Sequence, residues 1–597
     1  MMIFSADFET TTTPDDCRVW AWALCEVGNI DNFIYNNSLS SFMDYISKNA
    51  PITLYFHNLK FDGQFILDYL FNNNFTFVKD RKDLDAKTFT TLISDSGLFY
   101  SLEICFKVSP NGKKKYLARI YDSLKIITDK VENIAKTFDA PTNKLKLDYD
   151  LYRPINHILT NKEIDYIRGD VTIMAHALNI LFSQNLTNMT AGSNALSDYK
   201  NMIGRRNFDE FYPPPEYDWS IRQSYRGGFT YLNPIHKNKI LYNITVLDVN
   251  SLYPWVMYEC YLPYGEGMHY DGQYVYDKDR PLYIQCITCN FKIKDNKIPT
   301  IQIKNSRYFK ENEYLLNSDG EDITLYLTSV DLKLFLDQYD VTNIEYIEGW
   351  KFKQSNKLFK KYIDKWIKIK NEATISGNKG MRSLSKLMLN SLYGKFATSP
   401  NVRSKIPYFD EEEKIVKYAD GPEETRKPVY IPVGTFVTAY AREKTIRTSQ
   451  KIKEYSLKKY KKDMYIYSDT DSIHTFLPLD DLKKIVDIDD IKLGAWKIEE
   501  SCYNGKFIRQ KCYVENVYHS KKDIEEFMKK EENKELLHHV DVSRETILKI
   551  TCAGMPESCY KYVTFDNFQI GLQVSGKLAP KKVSGGIILK DIDFTLR

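Results

Sequence analysis

The 597-residue chain is poor in several features that would otherwise direct its reading. Cysteine is sparse, with 10 residues in all, so no disulfide scaffold is implied and a reducing compartment fits best. No apolar run approaches the ~20 residues that span a bilayer. The opening Met1-Met2-Ile3-Phe4-Ser5-Ala6-Asp7 has neither the basic nor the apolar region of a secretory signal. A soluble intracellular protein, without membrane contact, is expected. No G-x-x-x-x-G-K-[ST] loop and no G-x-G-x-x-G fingerprint occur, so P-loop and Rossmann chemistry are not supported. The 9 histidines show no H-x-x-x-H spacing, and Cys286-Ile287-Thr288-Cys289 lacks a second pair, which reads as a reduced strand pair rather than zinc ligands. Net charge is small as well, +4, which alone suggests no nucleic-acid partner.

That small total averages over opposites. Residues 351–405 hold 14 Lys/Arg against Asp364 and Glu372, a local +12, and a field of that size binds a polyanion despite a near-neutral chain. Aromatic residues reach 14%, enough to supply stacking surfaces beyond the core.

At roughly 150 residues per domain the length suggests about four domains, or fewer large ones. The first ~190 residues alternate strands and helices, with strands at Ile3 to Phe8 and at Ile52-Thr53-Leu54-Tyr55-Phe56. Thr160-Asn161-Lys162-Glu163 has the form of a capping box and opens a helical stripe through Ile164, Ile167, Val171, Met174, Leu178 and Leu181. A Gly/Ser/Asn stretch from Ala191 to Asn194, followed by Pro213-Pro214-Pro215, places a domain boundary near 190. Residues 351–395 read as two lysine-rich helices separated by Ser376-Gly377-Asn378. Ser399 to Pro432 reads as an exposed hairpin or loop, and 519–541 as a solvated helix or loop.

Chemistry begins with acids. Asp7 and Glu9, at i and i+2 on a strand, leave one face together and call for a counter-charge such as a divalent cation. Asp62, at the start of a helix with Asn58, Phe61 and Phe65, and Asp170, one turn after Tyr166, complete a set of four. Each motif alone is weak, and a solvated acidic pair is the bland reading of any D-x-E. Together the four acids could hold two metals ~4 Å apart for phosphodiester hydrolysis. His57, Asn58 and the phenylalanines would grip a single-stranded end.

Farther on, Asp248 ends a buried-looking strand, and Tyr465 to Ile473 reads as strand, tight turn, strand with Asp469 and Asp471 on the turn. Asp248 and Asp471 on adjacent strands could hold a metal pair against a nucleoside triphosphate. Between them, Lys379, Arg382, Lys386, Asn390 and Tyr393 share one helix face, with Gly394 as the expected stop. Arg509, Lys511 and Tyr513 alternate on an expected strand, with backbone phosphate as the candidate partner.

In order along the chain, these motifs resemble the protein-primed family B DNA polymerases of the phage phi-29 type. D-F-E-T at Asp7, H-N-L-K-F-D-G at His57 and Y-I-x-x-D at Tyr166 are similar to the three exonuclease motifs. Tyr225-Arg226-Gly227-Gly228 is similar to the linker motif, and Asp248–Pro254, Lys386–Lys395 and Tyr467–Ser472 to polymerase motifs A, B and C. Thr438-Ala439-Tyr440-Ala441-Arg442 and Lys511-Cys512-Tyr513 are similar to the two primer-strand motifs. Nine motifs in sequence cover almost the whole chain.

The resemblance implies an α/β and α+β multidomain fold, with an RNase H-like 3′–5′ exonuclease domain followed by a right-hand polymerase of palm, fingers and thumb. It implies domains at 1–190 (exonuclease), 191–260 and 429–552 (palm), 359–398 (fingers) and 553–597 (thumb). Two insertions are implied, 261–358 for docking a terminal protein and 399–428 as a hairpin for processivity and strand displacement. It assigns metal binding to Asp7, Glu9, Asp62 and Asp170, with Tyr166 orienting water and either Lys144 or Lys146 assisting. Asp248 and Asp471 would bind the polymerase metals, with Asp469 in support; Mg²⁺ or Mn²⁺ is implied, two ions per site.

Tyr253 would lie under the deoxyribose, Lys370, Arg382 and Lys386 would contact triphosphate, and Asn390 and Tyr393 would frame the base pair. Thr10, His57, Asn58, Phe61, Phe65, Ser123 and Leu124 would hold the single-stranded 3′ end. Tyr225, Gly227, Gly228, Thr438, Arg442, Lys511 and Tyr513 would contact template or primer. Implied partners are template–primer DNA, dNTPs, a terminal priming protein and a single-stranded DNA-binding protein. The chain would act as a monomer in the cytoplasm of an infected bacterial host. Rival readings are a DNA-primed replicase, a nuclease with a degenerate palm, and a non-catalytic DNA-binding or terminal-protein-like factor. A pure binder has no need for six acids at strand ends, where they repel phosphate unless a metal is bound.

Overall fold

The computed structural model describes residues 2–149, 151–302 and 314–597. Residues 303–313 of the 261–358 insertion therefore lie outside the described part.

Two eight-stranded sheets dominate. In the N-terminal sheet the strand Ile3–Thr10 lies centrally, antiparallel to Val19–Glu26 and parallel to Ile52–Phe56, which in turn runs parallel to Lys115–Asp122. Ile52–Phe56 is buried at every position, as a parallel strand covered on both faces must be. Helices Leu59–Asn72 and Asn161–Ser183 flank this sheet. The second begins with the expected capping box: Thr160 accepts from the Glu163 N–H and the Glu163 carboxylate receives the Thr160 N–H.

The second sheet is antiparallel throughout. Its order is Val540–Asp541, Thr546–Cys552, Cys512–Tyr518, Trp496–Arg509, Ile240–Val249, Ser472–Thr475, Tyr465–Asp469 and Thr230–Leu232. The 30-residue helix Ile431–Tyr460 packs beneath it. A separate four-stranded antiparallel sheet occupies 262–355, joined by helix Ser329–Gln338. Helices Lys360–Ile375 and Lys379–Phe396 form an antiparallel pair. The hairpin Asn401–Asp410/Ile415–Thr425 and the C-terminal hairpin Gln573–Val583/Gly586–Thr595 both reach the N-terminal domain. Tyr418 donates to Gln64 at 2.8 Å, Lys79 meets Glu424 at 2.6 Å, and Ile587 and Ile588 enter the N-terminal core beside Phe65. Lys582 stands 3.9 Å over the Tyr418 ring, joining the two hairpins.

Several local expectations are corrected. Residues 351–355 close the strand Tyr339–Ser355, because they pair with 262–268 of the neighbouring strand and the helix begins only at Lys360. The Gly/Ser/Asn stretch Ala191–Asn194 forms the first turn of helix Ala191–Ile203, capped by Thr190 accepting from Ser193 N. Gly394 lies inside its helix, which continues to Phe396 with Ala397 as its cap. Pro432 belongs to the first turn of helix Ile431–Tyr460, where its missing N–H is harmless. Arg509, Lys511 and Tyr513 do not share a strand: Gln510 and Lys511 form the turn between two strands, with Lys511 at φ 54. The charged 519–541 stretch is the solvated helix expected, Lys521–Lys529, followed by a 3-10 segment, Glu531–His539. No helix among the described residues is long and apolar enough to cross a membrane.

Candidate active sites

Asp7 and Glu9 leave the central strand on one face, Asp62 sits in the first turn of its helix, and Asp170 approaches from helix Asn161–Ser183. Ligand oxygens of Asp7, Glu9 and Asp170 all lie within 4.8 Å of one another. Glu9, Asp62 and Asp170 are buried, and Asp7 is half-buried. Such proximity is costly for like charges, and the acids respond as a group. Burial, then Asp170, pushes Asp7 up to about 7. Burial, then Asp7, raises Glu9 and Asp62 well above the carboxylate range.

Lys144 is the cation that meets them, its Nζ 2.8 Å from Asp170 Oδ2, while Lys146 is exposed. Burial opposes its charge, yet Asp170 and Asp7 hold Lys144 above its usual value. Asp170 Oδ1 is buried without a hydrogen-bond partner. Four acids facing one lysine, with an unpaired inward oxygen, fit a divalent cation by charge and by donor type.

Tyr166 is 2% exposed and its hydroxyl meets that of Tyr149 at 2.6 Å. Burial, then Glu9 and Asp170, holds the Tyr166 phenol far above its usual value, so it remains a neutral donor. Tyr149 was missed in the sequence because nothing in its spacing ties it to Tyr166. Asp122 was missed as well. It accepts from Asn58 N and Leu124 N, each at 3.0 Å, and thereby joins two motif segments 64 residues apart.

The expected single-strand residues divide. Thr10 and Phe61 are partly open, and Asn58 is exposed in the left-handed region at φ 76. His57 is half-buried, held between Ser123 Oγ at 3.1 Å and Asp129 O at 2.7 Å. Ser123 and Phe65 are fully buried. Ser123 donates to Phe56 O, and Phe65 backs Phe61 at 5.7 Å between ring centroids. Neither offers a surface to a strand, and Leu124 is half-buried beside them.

The second site lies at the end of the antiparallel sheet. Asp248 pairs in register with Ser472, and Val249 donates to Asp471 O at 2.8 Å, so Asp248 and Asp471 come together on neighbouring strands. Thr470 takes φ 58 in the tight turn, and Gly228 packs so closely on it that a Cβ at 228 would collide. Burial, then Asp248, lifts Asp471 to about 6. Asp469 is turned away, held by Lys511 Nζ at 2.6 Å, Thr230 and Tyr467.

Lys497 Nζ stands 3.2 Å from Asp248 Oδ2. This cation was not anticipated, since only the pairing of Asp248 with Lys497 across the sheet reveals it. Burial, then Arg382, Lys386 and Lys497, lowers the Lys370 ammonium, so these four cations share one space. Arg382, Lys386 and Asn390 are exposed along helix Lys379–Phe396 as expected. Tyr393 is stacked on Tyr253, centroids 3.9 Å apart and planes at 20°.

Two expected primer contacts are instead internal. Arg442, 3% exposed, forms a bidentate pair with Asp331 and donates to the carbonyls of Arg226 and Gly227. Thr438, 1% exposed, donates to Gly434 O and Thr435 O within its helix. Arg442 thus pins the Tyr225–Gly228 segment to the 262–355 sheet unit. Tyr225 is half-buried, Gly227 is exposed, Tyr513 is 8% exposed, and Lys511 is exposed beside Asp469.

Residues 43–488 match the family model described as DNA polymerase type B, organellar and viral. The DNA polymerase of Bacillus phage B103 is 42% identical over 599 residues, covering 100% of this chain and 99% of that protein. The chain belongs to the type B DNA polymerases. The orthorhombic crystal structure of phi29 DNA polymerase superposes at a TM-score of 0.90, with 40% identity and full coverage of both chains. The phi29 polymerase complex with primer–template DNA and incoming nucleotide substrates gives 0.88 at 41% identity, again over both full chains. The multidomain fold of exonuclease plus palm, fingers and thumb is that of phi29-type enzymes. Divalent-metal use follows from membership of this family.

Proposed function

We propose that this family B polymerase extends a primer at Asp248 and Asp471 and excises 3′ ends at Asp7, Glu9, Asp62 and Asp170. The carrying observation is that acids gather at two separate sheets: ligand oxygens of Asp7, Glu9 and Asp170 lie within 4.8 Å of one another, and strand pairing brings Asp248 and Asp471 together. Bound Mg²⁺ or Mn²⁺, two ions per site, would supply charge neutralisation, nucleophile activation and stabilisation of the leaving oxygen.

The chain's own groups do the rest. Lys370, Arg382 and Lys386 present cations where a triphosphate would enter. The Tyr253–Tyr393 stack is a flat floor that a nucleotide would meet or part. Asp469 and Lys511 neutralise one another at the turn until a primer terminus competes for the lysine. In the exonuclease site Tyr166, kept protonated and fixed by Tyr149, would orient a water, and Lys144 would hold Asp170 in place. Asn58 and the open face of Phe61 would receive an unpaired end.

By this reading 1–190 is the exonuclease, 191–260 and 429–552 the palm, 359–398 the fingers and 553–597 the thumb. The 261–358 insertion would seat the priming protein. The 399–428 hairpin, tied to both the N-terminal domain and the C-terminal hairpin, would enclose DNA and separate strands. Partners would be template–primer DNA, dNTPs, a terminal protein and a single-stranded DNA-binding protein. Kinship with phage polymerases supports a phage-encoded enzyme acting in an infected bacterial host.

Priming is tested by incubating the protein with labelled dATP, Mg²⁺ and the candidate terminal protein. A covalent protein–nucleotide adduct that disappears with chelator is expected. Extension of DNA primers without any adduct would leave a DNA-primed replicase instead.

A further inference from the structure

Away from both acid sets, the antiparallel sheet holds another group of metal-type donors. Ligand atoms of Glu500, Cys502 and Glu515 lie within 4.8 Å of one another, on the paired strands Trp496–Arg509 and Cys512–Tyr518. Gly505 shapes the group. It pairs with Glu515 in register, and a Cβ there would stand 3.1 Å from Glu515 Cγ and 2.8 Å from Ile244 Cδ1. Without that Cβ, Glu515 lies over its neighbouring strand.

Glu515 is 0% exposed and Cys502 1% exposed. One Glu515 oxygen meets His474 Nδ1 at 2.9 Å, while Oε2 is buried with no hydrogen-bond partner. A buried carboxylate oxygen with no hydrogen-bond partner is costly unless something arrives to use it. Glu500 is held by Lys549, whose Nζ stands 2.7 Å from both of its oxygens.

We propose that Glu500, Cys502 and Glu515 bind one Zn²⁺, with His474 orienting Glu515 from outside the ligand set. A thiolate beside two carboxylates suits zinc, which accepts sulfur and oxygen together and leaves a fourth position for water. Magnesium and calcium prefer all-oxygen sets. Charge closes too: two carboxylates and one thiolate balance Lys549 and a dication. The His474 ring lies 5.4 Å from Tyr467, whose hydroxyl contacts Asp469 and Lys511 N. Zinc here would brace the sheet directly behind the polymerase turn.

The test uses the full-length protein, stripped of metal and given one equivalent of Co²⁺. A thiolate-to-cobalt charge-transfer absorption is expected, removed by one equivalent of Zn²⁺. The Asp7 and Asp248 sites hold no sulfur and cannot produce it. Cys502→Ser should abolish the band, and Cys512→Ser should keep it. His474→Gln should weaken Zn²⁺ binding roughly 10–100-fold, as loss of an orienting partner does. If Cys502→Ser does not fold, Glu500→Gln, at the more open edge, should still lower Zn²⁺ affinity at least about tenfold. No band, a band that survives Cys502→Ser, or unchanged affinity in Glu500→Gln would overturn the site.

Discussion

In the exonuclease site three of four acids are buried and the single lysine Lys144 faces them; in the polymerase site Asp248 and Asp471 are more open, with Lys497 bonded to one and Lys386 close by. Two unit charges 4 Å apart interact by about 4 kcal/mol at an effective dielectric near 20, so the number of nearby cations decides how each set behaves. The buried set, short of cations, must take up protons or metal ions. The open set is already partly neutralised by lysines that a substrate has to displace. Both share one device, a buried arginine–carboxylate pin: Arg153–Glu163 beside the first and Arg442–Asp331 beside the second.

The largest expected effect concerns these pins. Arg442→Ala leaves buried Asp331 with the Thr328 hydroxyl but no cation and should cost about 3–5 kcal/mol, while Arg153→Ala should cost less, because Glu163 keeps His157 and Thr160; denaturant unfolding reads both. An Arg442→Ala protein of undiminished stability but poor primer affinity would make Arg442 a DNA contact after all.

The lysines come next. Lys144→Ala should slow single-strand degradation roughly 10–100-fold, because it orients a metal ligand without company. Lys497→Ala should slow nucleotide addition by less than that, since other cations remain. Steady-state rates of both reactions measure this, and the reverse ranking would break the contrast.

The smallest effect is a shift with pH. Folded Asp7 titrates near 7 and an unfolded aspartate near 3.8, so the metal-free fold binds the extra proton between them. That contribution to stability is complete below 3.8 and is lost as pH rises through 7. Divalent cations bind the ionised site, so Mg²⁺ should raise Tm more at about pH 8 than at about pH 6. Asp7→Asn should flatten the difference, and degradation should need less metal as pH rises. Asp471, titrating near 6, should give nucleotide addition a shift complete at lower pH.

Much of this was legible along the chain. The acid motifs, the capping box at Thr160 and the lysine helices from Lys360 onward follow from local periodicity, although the helix reading begins nine residues too early and stops two too soon. What escaped depends on register across distant segments. Lys497 meets Asp248 only because their strands pair, and Tyr149 meets Tyr166 across a loop of unpatterned sequence. Conversely, Arg442 and Phe65 carry motif-like chemistry but spend it on packing, which no spacing reveals.

Separability of the two sites is tested by measuring nucleotide addition and single-strand degradation on the same labelled primer with isosteric variants. Asp248→Asn or Asp471→Asn should abolish addition and leave degradation intact, while Asp7→Asn combined with Glu9→Gln should do the reverse. Loss of both activities together in either folded variant would contradict two independent sites.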